Sequence, residues 1–231
     1  MPQRSAYNPF YVPEPAPHAG RPRITFSWRE ALHIGGAILI LTACLAIVLK
    51  DGFGNPFTLK GSLADSLPSA STFLASLLAI GSGFVLHELA HKLVAQRYGH
   101  WAEFRAQFSG LLVSLLIALG IGFLAAAPGA VVIQGSVTRR ENGIISLVGP
   151  GTNLLIGVLA FPFTQAVDPH QPFPDAMRLV ATANGGLCLL NLLPFGQLDG
   201  RKVLRWSGLA YGIALALCLA FLALLFVRGV V

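Results

Sequence analysis

Phe84-Val85-Leu86-His87-Glu88-Leu89-Ala90-His91-Lys92 is the stretch that decides how the rest of the chain is read. It contains H-E-x-x-H. On a helix the i, i+4 spacing sets both imidazoles on one face, one turn apart, where two ring nitrogens can meet a single Zn²⁺. Glu88 then stands beside them as a candidate general base. From Phe73 to Val94 the surrounding sequence is almost wholly apolar apart from these residues and a few Ser and Gly. Holding His, Glu and His at bilayer depth is costly, so the cluster points to a functional site.

Composition sets the class. The 231 residues suit one domain, and 54% hydrophobic against 11% charged residues excludes an ordinary soluble domain. Apolar runs of about 18 or more residues indicate a polytopic helical protein in contact with the lipid bilayer. The net charge of +6 matches the Lys/Arg excess of membrane proteins. No basic stripe with interleaved aromatics is present, so no nucleic acid partner is expected. Cys44, Cys188 and Cys218 lie scattered in apolar runs, as small core residues would, and no disulfide framework is expected.

Taken in order, residues 1–28 form a Pro-rich, Arg-bearing tail expected to be flexible, and residues 29–231 form the transmembrane domain. The tail shows no signal-peptide pattern. The expected fold class is all-α and polytopic, with six apolar segments and a short β element near the active site. The segments are about 31–49, 70–97, 111–127, 144–167, 177–195 and 206–227. His33, near the start of the first, is either an interfacial histidine or a third metal ligand. Tyr98-Gly99 ends the motif helix, with Lys92 and Arg97 snorkelling toward the surface. Residues 130–136, β-branched and flanked by glycine, suggest a short strand.

Two histidines leave a catalytic zinc site one protein ligand short. Carboxylates near the apolar segments are scarce, and Asp199 is the best candidate. Pro194 interrupts helical hydrogen bonding and Gly196 loosens the backbone, which lets a broken helix end present Asp199. The plainer reading of Asp199 is an interfacial acid at a helix end.

Three ordered elements carry a family resemblance: His87-Glu88-Leu89-Ala90-His91, Gly149-Pro150-Gly151-Thr152-Asn153, and the run from Asn191 to Gly200 ending in Leu-Asp-Gly. Together they resemble the site-2 proteases, intramembrane zinc metalloproteases of the M50 type. The resemblance implies one Zn²⁺ per chain held by His87, His91 and Asp199, with Glu88 as catalytic base. It places Asn191 near the scissile carbonyl, where an ordinary interhelical hydrogen bond is the rival reading. Asn153, Pro194 and Gly200 become structural supports. The implied substrates are single-span transmembrane proteins already trimmed by another protease, with release of a cytoplasmic fragment. A non-proteolytic metal-binding membrane protein or transporter is the alternative. A transporter would be expected to show two related halves, and none is evident.

The metal also constrains topology. If 111–127 crossed fully, the helices carrying His91 and Asp199 would be antiparallel and would end on opposite faces of a hydrocarbon core ~30 Å thick. A re-entrant helical hairpin bent at Gly120–Gly122 makes them parallel, leaving five full spans. With the N-terminus inside, only Lys50, Lys60, Arg178 and Arg228 of the sixteen Lys and Arg then lie outside. Full crossing divides them nine to seven. The positive-inside bias therefore favours the hairpin, with N-terminus and active site toward the cytoplasm.

Overall fold

A computed structural model of the chain describes residues 24–52, 54–58, 66–124, 129–165 and 172–230. Helix α1 (Trp28–Asp51) starts at the N-cap Ser27, whose hydroxyl accepts the Glu30 N–H at 3.0 Å. α2 (Ala70–Ile80), a π-helical turn (Gly81–Val85) and α3 (Leu86–Arg97) form one continuous helical run. Strand β1 (Trp101–Ala106), α4 (Phe108–Ile121) and β2 (Gly129–Gln134) follow. Thr138 and Glu141 form a capping box on α5 (Arg139–Ala160), which contains Pro150 and continues as a 3₁₀ turn, Phe161–Gln165. The C-terminal helices are α6 (Pro172–Leu192), α7 (Asp199–Trp206) and α8 (Gly208–Val227).

Among the described residues, four helical runs are long and apolar enough to cross a membrane: Trp28–Asp51, Ala70–Arg97, Arg139–Gln165 and Gly208–Val227. The five full spans expected are thus matched by four candidates. α6 covers the fifth segment, but Asp175, Arg178, Asn184 and Asn191 dilute its apolar character. Ala37, Leu41 and Leu45 recur on one face of α1 at i, i+4. They join Ala79, Ile80, Val180, Ala181, Phe221 and Leu225 in the main core. Leu39, Leu74, Leu116, Leu155 and Phe226 point outward, a placement that suits a lipid environment. Cys44, Cys188 and Cys218 are free and buried, in core roles as expected.

β1 and β2 form a two-stranded antiparallel ribbon, with Ala106 paired to Gly129 and Phe104 to Val131. The ends of the segment between them lie side by side, so that segment goes out and comes back. Its form differs from the expected helical hairpin. Among the described residues the outgoing limb alone is helical: α4 has 14 residues, ~21 Å at ~1.5 Å per residue. It ends at Gly122 in the left-handed region (φ 66°), and residues 123–124 have left the helix. Residues 125–128 lie outside the described set. The loop after α1 fastens the turn, with Gly54 N–H donating to Gly122 O at 3.0 Å and Phe57 N–H to Leu119 O at 2.8 Å.

The described end of the Pro-rich tail, residues 24–27, lies against α3. Thr25 N–H donates to Gln96 Oε1 at 3.2 Å, and the Phe26 ring sits 3.4 Å from Lys92 Nζ. Lys92 therefore does not snorkel: it is fully buried and ion-paired with Glu30. Residues 1–23 lie outside the described set.

Gly122 and Gly120 should respond oppositely to alanine. A Cβ on Gly122 would meet Asn55 N at 2.5 Å in a backbone conformation that L-residues avoid, whereas one on Gly120 meets nothing within 4 Å. Thermal unfolding in detergent should show Gly122→Ala destabilised by about 1–3 kcal/mol. Gly120→Ala should be neutral or stabilised by up to about 1 kcal/mol.

Candidate metal centre

His87 and His91 sit one turn apart in α3 with ring centroids 4.6 Å apart, both buried. Each ring is fixed through its far nitrogen. His91 Nδ1 lies 2.6 Å from the Ile145 carbonyl oxygen, which can only accept, so that nitrogen carries the proton. His87 Nδ1 lies 2.6 Å from Asn153 Oδ1. The Asn153 amide is itself oriented, because its Nδ2 donates to Gly83 O at 2.7 Å and to Asn184 Oδ1 at 3.0 Å. Its oxygen is thus the atom left for His87, which must donate to it. Both Nε2 atoms consequently present lone pairs toward the same point.

Asp199 completes the group. α6 stops at Leu192, Pro194 bars its continuation, and Gly196 turns the chain at φ 61°. α7 then begins with Asp199 in its first turn. Gly200 lets α7 approach the end of α6, since a Cβ there would collide with the Leu192 backbone. Lys202 Nζ donates to Asp199 Oδ1 at 3.1 Å, leaving Oδ2 to face the imidazoles. The Oδ2–Nε2 distances are 3.3 Å to His87 and 3.0 Å to His91, and the two Nε2 atoms are 2.9 Å apart. Burial disfavours the Asp199 carboxylate, and the Lys202 ammonium at 3.1 Å favours it.

A metal ion fits this donor set. Three acceptor atoms without protons of their own repel one another unless a cation lies between them. A tetrahedral ion with bonds of ~2.0–2.1 Å would give edges of ~3.3 Å, close to the observed triangle. Room is preserved on the α5 side, where a Cβ on Gly149 would lie 2.5 Å from His91 Cε1 and 2.7 Å from His87 Cε1. Among the described residues this is the one group of His, Cys, Asp or Glu arranged to hold a metal.

The group opens on a cavity of about 600 Å³ lined by Glu88, Asn191, Ser146, Lys202 and the inner edge of β2. Glu88 Oε2 accepts the Val131 N–H at 3.2 Å. Asn191 lines the cavity, while its Nδ2 donates to Leu187 O of its own helix at 3.0 Å. His33 is no ligand: its Nδ1 accepts the Ala106 N–H at 3.2 Å, and its ring packs edge-on against Phe108. Sequence reasoning missed Asn184, Lys202 and the steric role of Gly149. An Asn inside an apolar helix signals a partner without naming it. Lys202 stands at i+3 from Asp199, a spacing that could have flagged it.

A helical membrane-type bundle closed around a buried His-His-Asp metal centre defines the class. The comparisons with known proteins agree. The chain is 38% identical over 146 residues to "Putative zinc metalloprotease MJ0611" of Methanocaldococcus jannaschii, covering 63% of this chain and 76% of that protein. It is 35% identical over 137 residues to "Putative zinc metalloprotease Rip2" of Mycolicibacterium smegmatis, covering 52% of each. The chain belongs to the zinc metalloprotease family of the archaeal relative. No family model and no solved structure matches it.

Three alanine variants test the centre. Gly149→Ala should lose bound zinc in a chelator competition, while Gly151→Ala, whose Cβ meets nothing within 4 Å, should keep it. Asn153→Ala, which frees the His87 ring, should weaken zinc binding about 10–100-fold.

Proposed function

We propose that this protein is an intramembrane zinc metalloprotease of the site-2 type. It hydrolyses peptide bonds within or beside transmembrane segments of membrane-protein substrates, in regulated intramembrane proteolysis, with N-terminus and active site toward the cytoplasm. The observation that carries this reading is the juxtaposition, in one cavity, of the His87-His91-Asp199 group, Glu88 and an open strand edge.

Zinc at this group would supply Lewis acidity, polarising a carbonyl and acidifying water toward neutral pH. The chain's own residues do the rest. Glu88 follows His87 directly and lines the cavity, so it can take the proton of an attacking water and return it to the departing amine. Asn191, also on the cavity wall, is placed to hydrogen-bond the substrate backbone.

The ribbon supplies a way to hold an extended substrate. In an antiparallel pair, each residue turns both its N–H and C=O toward the partner strand or away from it, in alternation. Val131 N–H faces Glu88, so Gly129, Val131 and Ile133 carry the outward groups of β2. The outer edge of β1 is capped by side chains: Gln96 Nε2 donates to Ala102 O at 2.9 Å, Glu30 Oε1 accepts Phe104 N–H at 2.9 Å, and His33 takes Ala106 N–H. The β2 edge carries a single such cap among the described residues, Glu88. A substrate segment unwound from its helix can add there as a third strand, exposing peptide bonds that a helix shields.

Cleavage of a single-span model substrate by purified protein in lipid, with and without chelator, tests this reading. Glu88→Gln should abolish cleavage and leave bound zinc unchanged. Undiminished function in that variant would instead favour a metal-binding protein or transporter. Val132→Pro removes an N–H from the ribbon and should reduce cleavage at least tenfold with zinc retained, as scored by product formation and metal analysis.

A further inference from the structure

The buried ion pair between Lys92 and Glu30 takes no part in the chemistry described above, yet both side chains are fully buried and Lys92 directly follows a metal-ligand histidine. Burying a charge pair this completely is costly, and its contacts say what it holds. Glu30 Oε2 receives the Lys92 ammonium, and Oε1 accepts the Phe104 N–H at 2.9 Å. Phe104 is the register partner of Val131, and the Val131 N–H is held by Glu88 at 3.2 Å. One rung of the ribbon is therefore gripped at both outer ends by a glutamate: Glu30 on the α1 side and Glu88 on the α3 side.

Neighbouring contacts make Glu30 the middle of a row. Residues 27, 30 and 33 share a face of α1 at i, i+3 spacing. Ser27 Oγ donates to Glu103 Oε1 at 2.6 Å, Glu30 accepts from Phe104, and His33 Nδ1 accepts from Ala106 at 3.2 Å. The first two turns of α1 thus set the position of β1, and β1 in turn sets β2. Lys92 ties the same carboxylate to α3, the helix that carries Glu88.

We propose that Glu30, held by Lys92, is a positioning residue for the base Glu88, acting through the Phe104–Val131 rung. It fixes the distance between the strand edge that takes substrate and the helix that carries the base. The assignment of Glu88 as base rests on the proposed function; the clamp itself does not.

Two double variants separate the clamp from mere charge neutralisation, and neither leaves an unpaired buried charge. Glu30→Leu with Lys92→Met removes the acceptor for Phe104 N–H. Glu30→Gln with Lys92→Met keeps a carbonyl in its place. The Leu/Met protein should retain zinc, exchange its Val131 amide hydrogen at least tenfold faster, and lose at least tenfold in kcat with KM changed less than threefold. The Gln/Met protein should stay within threefold of the parent in all of these.

Equal loss in both variants, loss in neither, or loss of zinc from either would overturn the assignment. If the Leu/Met protein does not fold, the Gln/Met protein carries the test alone: faster Val131 exchange there refutes the clamp, and unchanged exchange upholds it. Exchange and zinc content need no cleavage. A parent protein that cuts no peptide would sink the protease reading, while the exchange comparison would still decide the clamp.

Discussion

Three lone pairs aimed at one point, with no proton among them, are the condition around which this structure is built. A buried imidazole whose Nδ1–H is taken by a carbonyl has only an acceptor left on its other side. Here two such rings and a carboxylate oxygen face one another at 2.9–3.3 Å. In an apolar interior that arrangement is unfavourable without a cation, and the surrounding elements are shaped to keep it. α5 brings the Ile145 carbonyl and Asn153 to fix the rings, and Gly149 to leave space before them. The break at Pro194 delivers Asp199, and Lys202 occupies the carboxylate oxygen that does not face the rings.

The network behind His87 shows why so many polar groups can be tolerated among apolar helices. Asn153 and Asn184 are fully buried, but each of their amides has partners, and the chain continues through Ser82 Oγ, which lies 3.2 Å from Asn184 Nδ2. The π-helical turn at Gly81–Val85 is part of the same design. A shift in helical register releases backbone groups from their ordinary partners, and the Gly83 carbonyl is answered by Asn153. The His87 ring is thus oriented by the helix that packs across from it, and that helix is in turn registered on the irregular turn below the ring.

What could be read from the sequence was whatever local spacing or apolar length dictates. The i, i+4 histidines, the helical run Ala70–Arg97 and the break at Pro194 follow from short-range rules, while Asp199 as the histidines' partner comes from the scarcity of carboxylates and the family resemblance. Other features depend on partners far along the chain. Lys92 looks like a snorkelling residue until Glu30, 62 positions earlier, is found against it. The stretch Trp101–Ala106 becomes a strand because β2 and the first turns of α1 satisfy its two edges, and neither partner is visible in its own six residues. The hairpin expected for 111–127 is helical only in its outgoing limb among the described residues, for a related reason. Hydropathy marks an apolar segment without saying where it turns, and Gly122 closes α4 once the loop at Gly54 and Phe57 docks on its end.

The position of the centre relative to the charged end of the bundle follows from the same helices. Six residues separate His91 from Arg97 along α3, and six separate Asp199 from Arg205 along α7, ~9 Å in each case at ~1.5 Å per residue. Arg139, at the start of α5, donates to the Arg205 carbonyl, so the basic ends of α5 and α7 lie together. Arg97, Arg139, Arg140, Arg201 and Arg205 are all exposed. Exposed guanidinium groups belong at a membrane surface rather than among acyl chains. The metal group therefore lies about two helical turns from the basic end of the bundle. Asn142, Ser146, Gln197 and Lys202 line the cavity that it shares. A reaction that consumes water needs a polar route of this kind.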